Sequence, residues 1–205
     1  MNRSSRTLII VAVAALSGCA GSASHGDASE GTLWNPLNWS WSSLNPLSWF
    51  GSDLTVSDAG VGQLSGATAM NQEAIDRALD GRYTLRQGMR SDRGQVVRFW
   101  QGLQDKQVYL LVDGDSRVQR VTVSDPAAVT TRGVKIGTPF SELYGKAFGH
   151  CEQGQGDLRD GVVCQAPDSQ HIRYQFTGNW HGPEGLIPPD DALKSWTVSR
   201  IIWQR

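Results

Sequence analysis

The chain has 205 residues, 19 Lys and Arg against 20 Asp and Glu, 39% hydrophobic residues and three cysteines. That length suits one domain with its own core and leaves little room for a second large one. The near-neutral balance, without a basic cluster, excludes a phosphate-neutralising nucleic-acid surface, and no apolar run is long enough for a transmembrane helix.

The first nineteen residues carry a leader. Arg3 and Arg6 form a positive start, Leu8 to Leu16 is a short apolar run, and Leu16-Ser17-Gly18-Cys19 closes it. The tetrapeptide resembles the bacterial lipobox, which implies cleavage after residue 18 and acylation, palmitate included, of Cys19 as the first mature residue. Removing Arg3 and Arg6 leaves 17 basic against 20 acidic residues, a net charge of −3. Three acyl chains, each burying roughly 0.8 kcal/mol per CH₂, would make the attachment effectively permanent. Ala20 follows the anchor instead of the Asp that resembles an inner-membrane retention signal. The expected address is the periplasmic face of the outer membrane, an oxidising compartment.

Residues 19–32 are small and polar, the composition of a flexible tether. Residues 33–52 are Trp- and Pro-rich: Trp34, Trp39, Trp41 and Trp49 are half of the eight tryptophans. Asn35-Pro36-Leu37-Asn38-Trp39 recurs as Asn45-Pro46-Leu47-Ser48-Trp49, and Asn followed by Pro is helix-starting chemistry, so two single-turn helices are expected. These indoles could strap the domain, lie at a membrane interface or dock into an envelope protein partner.

Residues 53–205 read as one folded domain of two related copies, about 53–125 and 126–205. Gly60-Val61-Gly62-Gln63-Leu64 matches Gly133-Val134-Lys135-Ile136-Gly137, Val97-Arg98-Phe99 matches Ile172-Arg173-Tyr174, and Val118-Gln119-Arg120-Val121 matches Val198-Ser199-Arg200-Ile201, in the same order. Each copy should open with a short helix after its Gly-rich motif. In the first, Asn71 caps, Met70 and Ile75 form a staple, and Gly81 stops the helix at C′. In the second, Thr138 caps, Pro139 takes N1, and Phe140, Leu143, Tyr144, Ala147 and Phe148 mark one buried face before Gly149. Strands are expected over 82–87, 95–100, 107–112, 118–123, 161–165, 171–176 and 196–203, with Asp113-Gly114 as a hairpin turn. The class is therefore β-rich α+β, with antiparallel sheets built from two tandem αβββ-like repeats as a sandwich or curved sheet.

Cys151 and Cys164 bracket a Gly-rich loop, and in an oxidising compartment a disulfide is the economical reading. The rival is a zinc site with His171 or His181, although the spacing matches no paired-cysteine motif. No nucleophile elbow or other convincing catalytic arrangement occurs. Asp113-Gly114-Asp115-Ser116 lacks the remaining ligands of a calcium loop. No cofactor is implied. The best binding candidate is the stiff loop Gly178–Leu193, which carries Trp180, His181, Glu184, Asp190 and Asp191; packing of Trp180 and Ile187 is its structural alternative.

Taken together, the lipobox, Ser48-Trp49-Phe50-Gly51, Val56-Ser57-Asp58-Ala59-Gly60-Val61-Gly62, the run from Gly133 to Ser141 and Gly182-Pro183-Glu184-Gly185-Leu186 resemble the RpoE-regulated (sigma-E-regulated) lipoproteins of Gram-negative bacteria, YfeY-like proteins of unknown function. The resemblance implies an envelope lipoprotein tied to envelope stress, with no catalytic residues to carry over. A non-enzymatic protein- or lipid-interaction module is the leading expectation. The alternative is a periplasmic hydrolase, or a small-ligand binder, with its site in the 178–193 loop.

Overall fold

A computed structural model of the chain describes residues 53–92, 95–183 and 185–205. The leader with Cys19, the tether and the segment with Trp34, Trp39, Trp41 and Trp49 lie outside the described residues, as does Glu184.

The described chain is a small sheet followed by a large one. Strands β1 (Leu54–Ser57) and β2 (Gly60–Val61) form a hairpin, and β7 (Ala128–Thr130) joins β1 in parallel. The large sheet comprises β3 (Thr84–Asp92), β4 (Gln95–Gln104), β5 (Gln107–Gly114), β6 (Val118–Val123), β8 (Cys151–Gln153), β9 (Val162–Gln165), β10 (Ile172–Thr177) and β11 (Thr197–Gln204). Its order is β3-β4-β5-β6-β11-β10-β9-β8, antiparallel throughout. Sequence reading located seven of its strands but stopped β3 and β4 short and missed β8, whose three residues are too few to show alternation. It also missed β1, β2 and β7.

The register explains the core. Leu110, Val123, Ile201, Tyr174 and Cys164 stand opposite one another across five neighbouring strands, and Val112, Val121, Trp203 and Ile172 form the next row. All nine are buried. With a side-chain period of two, one register choice places both rows on one face. That face belongs to one core with Leu54 and Val56 of β1, Ile75 of the first helix and Leu79 at its C-cap, and Phe140 and Leu193 from two later helical turns. Phe140 meets Phe176 edge-on at 5.1 Å between ring centroids and stacks on Tyr144 at 5.2 Å.

The opposite face carries charged pairs beside the buried Ile202 and Val163. Arg120 of β6 pairs with Asp113 of β5, directly across the ladder, at 2.9 Å. Arg90 on the edge strand β3 reaches Asp113 at 2.8 Å and Asp157 at 3.2 Å. Asp157 lies between β8 and β9 at the far edge, so the sheet curls until one guanidinium bridges its two ends.

Helix α1 (Gln72–Ala78) starts as the sequence indicates: the Asn71 side chain accepts from the Ala74 N–H at 2.9 Å. It ends one residue earlier than read. Leu79 is the C-cap and Asp80 occupies C′ at φ 53°, while Gly81 N–H closes on Asp76 O, placing Gly81 at C″ of a Schellman motif.

The second expected helix is corrected more substantially. Helix α2 is a single turn, Phe140–Leu143, with Pro139 at its N-cap. Thr138 does not cap it; its hydroxyl accepts from the Lys135 N–H, and its backbone pairs with Val198. Tyr144 then turns extended, its hydroxyl donates to Gln165 O at 2.7 Å, and Phe148 is 86% exposed instead of buried. Tertiary pairing with β11 and β9 overrides the helical period. Asp113-Gly114 ends β5, and the hairpin turn is carried by residues 115–117.

Of the three internal matches, Val118–Val121 and Val198–Ile201 lie in the adjacent strands β6 and β11. Val97–Phe99 lies two strands from that seam, in β4, whereas Ile172–Tyr174 lies one strand from it, in β10, so those two segments occupy different places. Among the described residues no helix is long and apolar enough to cross a membrane.

Candidate functional site

Two depressions compete for attention. The larger, about 690 Å³, lies on the charged face and is lined by Arg90, Asp113, Arg120 and Gln204 among others. Of the four arginines that line it, Arg90 and Arg120 are engaged by Asp113, and neighbouring Arg173 pairs with Glu152. Pairing of Arg90 and Arg120 with Asp113 weakens the pull of this surface on an anionic ligand.

The second depression, about 600 Å³, lies between the 178–193 loop and the β8–β9 connection. Strand β10 delivers the chain to Gly178, and a turn of helix, α3 (Asp190–Leu193), returns it to β11. Buried Leu193 anchors that turn, and the following Trp196 is only 5% exposed. The Trp196 backbone is held at both ends: its N–H donates to Leu193 O at 2.9 Å and its carbonyl accepts from Phe140 N–H at 2.8 Å.

Glycine makes this packing possible. A Cβ on Gly178 would lie 2.2 Å from Trp196 Cδ1 and 2.5 Å from Nε1, so the nitrogen edge of the indole rests on the Gly178 backbone. A Cβ on Gly182 would similarly meet the Trp180 ring at 1.9 Å. Both tryptophans and both glycines line the cleft, with Leu186 and Pro188.

The other wall supplies polarity. Gln153 of β8 donates through Nε2 to Arg159 O, but its buried Oε1 has no hydrogen-bond partner among the described residues. The buried Nε1 of Trp196 has none either. Arg159 and Asp160 place one charge of each sign on the rim, and Asp160 Oδ1 accepts from Gln175 Nε2 at 2.6 Å. The cleft thus combines apolar walls with one charge of each sign, while Trp196 Nε1 and Gln153 Oε1 are closed off from solvent.

Sequence reading identified the loop and Trp180 but not the residues opposite. Trp196 reads as the start of a strand, and Gln153 to Gly161 as the loop between two cysteines. His181, carried by the same loop, is exposed and is not part of the cleft lining. Asp190 instead accepts from Ala147 N–H at 2.8 Å, and Asp191 pairs with Lys194 at 2.7 Å, which holds the exposed Asp191 carboxyl below its ordinary range. A disulfide joins Cys151 to Cys164 across the β8–β9 ladder, which removes both sulfurs from the zinc alternative. His171 Nδ1 is 2.9 Å from Gln204 O. Among the described residues no three His, Cys, Asp or Glu side chains are grouped to hold a metal.

Comparison with known proteins places this geometry in context. Residues 38–205 match a family model described as a protein of unknown function, DUF1131. The chain is 51% identical over 166 residues to the uncharacterized protein YfeY of Escherichia coli strain K12, covering 80% of this chain and 87% of that one. It is also similar to the crystal structure of the uncharacterized protein yfeY from Escherichia coli, with a TM-score of 0.69, 48% identity, and coverage of 74% of this chain and 99% of that one.

Proposed function

The chain belongs to the DUF1131 family of proteins of unknown function, and from that premise we propose that it is a lipoprotein, attached through Cys19 to the periplasmic face of the outer membrane, which acts by binding rather than catalysis. Its site is the cleft between the 178–193 loop and the β8–β9 connection. The observation that carries this reading is a cleft of about 600 Å³ walled by Trp180, Leu186, Pro188 and Trp196, with one charge of each sign, Arg159 and Asp160, beside them. The anchor reading rests on the leader, and the association with RpoE-regulated envelope stress on the family resemblance.

Internal duplication belongs to the same proposal. Read from either edge to the β6–β11 seam, the large sheet presents four strands in chain order, β3 to β6 and β8 to β11. Under that scheme β4 corresponds to β9 and β5 to β10.

Binding is tested by screening neutral fragments against the full chain, purified in detergent, with indole and side-chain amide NMR signals as the readout. Binders should move the Trp196 indole and Gln153 amide signals together. Fragments that cluster elsewhere would remove the cleft from the proposal. The anchor is tested separately: Cys19→Ser should abolish palmitate labelling and shift the protein out of the membrane fraction. Unchanged partition would sink the lipoprotein reading.

A further inference from the structure

The ribbon formed by β3 and β4 is strongly basic. Residues 82–98 hold five arginines and one acid, against 19 Lys and Arg and 20 Asp and Glu in the whole chain. No two of these arginines are adjacent in sequence; strand pairing is what gathers them. The register sets Met89 opposite Arg98 and Ser91 opposite Val96, so Met89, Val96 and Arg98 share one face. The same face carries Leu85, Trp100 and Val112 into the core, and it continues beyond that core: Met89 is 70% and Val96 72% exposed. The exposed Arg98 guanidinium has no hydrogen-bond or ion-pair partner among the described residues. Arg90 turns to the other face, lies over the Phe99 ring at 5.3 Å and reaches Asp113 and Asp157, which braces the ribbon against the rest of the sheet. We propose that the Met89, Val96 and Arg98 face docks on a bilayer surface that carries anionic headgroups, with Arg98 on a headgroup phosphate and the two apolar side chains among the upper methylenes.

Charge complementarity carries the choice of occupant. The depression beside the ribbon is lined by four arginines, Arg98 among them, against two aspartates, Asp113 and Asp115, and Asp113 is already paired. The surplus is positive, and Arg98 is the cation that stands next to exposed apolar side chains. Two such side chains on a narrow ribbon offer far less than the roughly 800 Å² per partner of a standard protein interface. A membrane contact needs less, because each apolar side chain and each cation near an anionic surface adds its own increment. The inference rests on the anchor reading above: with lipid at Cys19, the segment from Ala20 to Asp53 ties β1 to the bilayer, so docking is intramolecular and a weak contact suffices. An acidic protein is the other surface that meets Arg98, and the experiment separates the two.

The lipidated full chain is placed in nanodiscs of phosphatidylcholine alone or mixed with phosphatidylglycerol, each carrying a lipid with a spin label on its acyl chain, and methyl NMR signals are followed. Met89 and Val96 should broaden in the anionic discs and much less in the neutral ones, while the buried Ile201 stays sharp in both. High salt should reverse the broadening. Arg98→Gln should reduce it by roughly fivefold, the effect of one cation near an anionic bilayer. Arg77→Gln removes the same charge from the exposed face of α1 and should leave it nearly unchanged. Both substitutions fall on exposed side chains, so the folded core is not at stake. Equal broadening in the two kinds of disc, or an unchanged response in Arg98→Gln, would overturn the proposal. A chain that stays in the discs with both methyls sharp would overturn it and leave the anchor standing; a poly-glutamate peptide that then shifts Met89 and Val96 would assign the face to an acidic protein. A chain that does not stay in the discs would remove the anchor, and the docking with it.

Discussion

Three buried tyrosine hydroxyls set the behaviour of this protein in alkali. Tyr83, Tyr144 and Tyr174 all have pKa values raised above the ordinary tyrosine range, chiefly by burial, and for Tyr83 also by its hydrogen bond to the Asp125 carboxylate. The folded state therefore keeps these protons at pH values where the unfolded chain, with tyrosines near 10, releases them. Their contribution is complete below about pH 10 and is lost as pH rises toward the folded values. Urea unfolding at intervals from pH 8.5 to 11 should show stability falling steeply above about pH 10, with a shallower fall in Tyr144→Phe. A flat profile to pH 11 would show that the hydroxyls are not held protonated. Legibility at this scale was uneven. Asn71 was recognisable because capping is local, whereas the pairing of Trp196 with Gly178 joins positions 18 residues apart that only the return of the loop brings together.

Elements differ in how much of their stability is their own. Strand β8 is a three-residue edge strand, tied to β9 by its ladder and by the Cys151–Cys164 disulfide, and it presents Gln153 to the cleft. A crosslink closing a loop of sequence separation 13 stabilises the fold by about 3 kcal/mol in the chain-entropy model. Replacing both cysteines with alanine should lower unfolding free energy by about that amount, and should accelerate hydrogen exchange in β8 before the central strands. Equal acceleration throughout the sheet would mean that β8 has no separate opening reaction. The shortened α2 teaches the complementary lesson. Its sequence carries a helical apolar period, yet Tyr144 reaches a better arrangement by leaving the helix, donating to Gln165 and packing against Phe176. Local periodicity reports which residues are apolar, and it cannot report a competing partner from another strand.

At the scale of the molecule, the curl of the large sheet brings its edges together through Arg90. Arg90 and Asp113 are both largely shielded, with 24% and 13% of their side chains exposed, so their pair is less screened than the Arg77–Glu73 pair on α1. Arg90→Ala should destabilise the protein by about 1–3 kcal/mol, the cost of leaving a shielded acid with one partner fewer, whereas Arg77→Ala should change it by less than about 1 kcal/mol. Urea denaturation of the two variants makes the comparison, and equal losses would show that the bridge does not hold the curl.

The sequence by itself determined the leader motif, the β-rich α+β class, most of the long strands, the N-terminus of α1 and the loop that forms one side of the cleft. Each of these is written in contiguous residues: charge beside an apolar run, alternation with period two, a capping side chain three residues from its donor, or a cluster of Gly and Pro. Tertiary structure alone decided the strand order, the single-turn length of α2, the small three-stranded sheet, the packing of Trp196 on Gly178 and the far wall of the cleft with Gln153. Those features arise from backbone pairing and packing between distant segments, and the free energy that selects them is absent from any one segment alone.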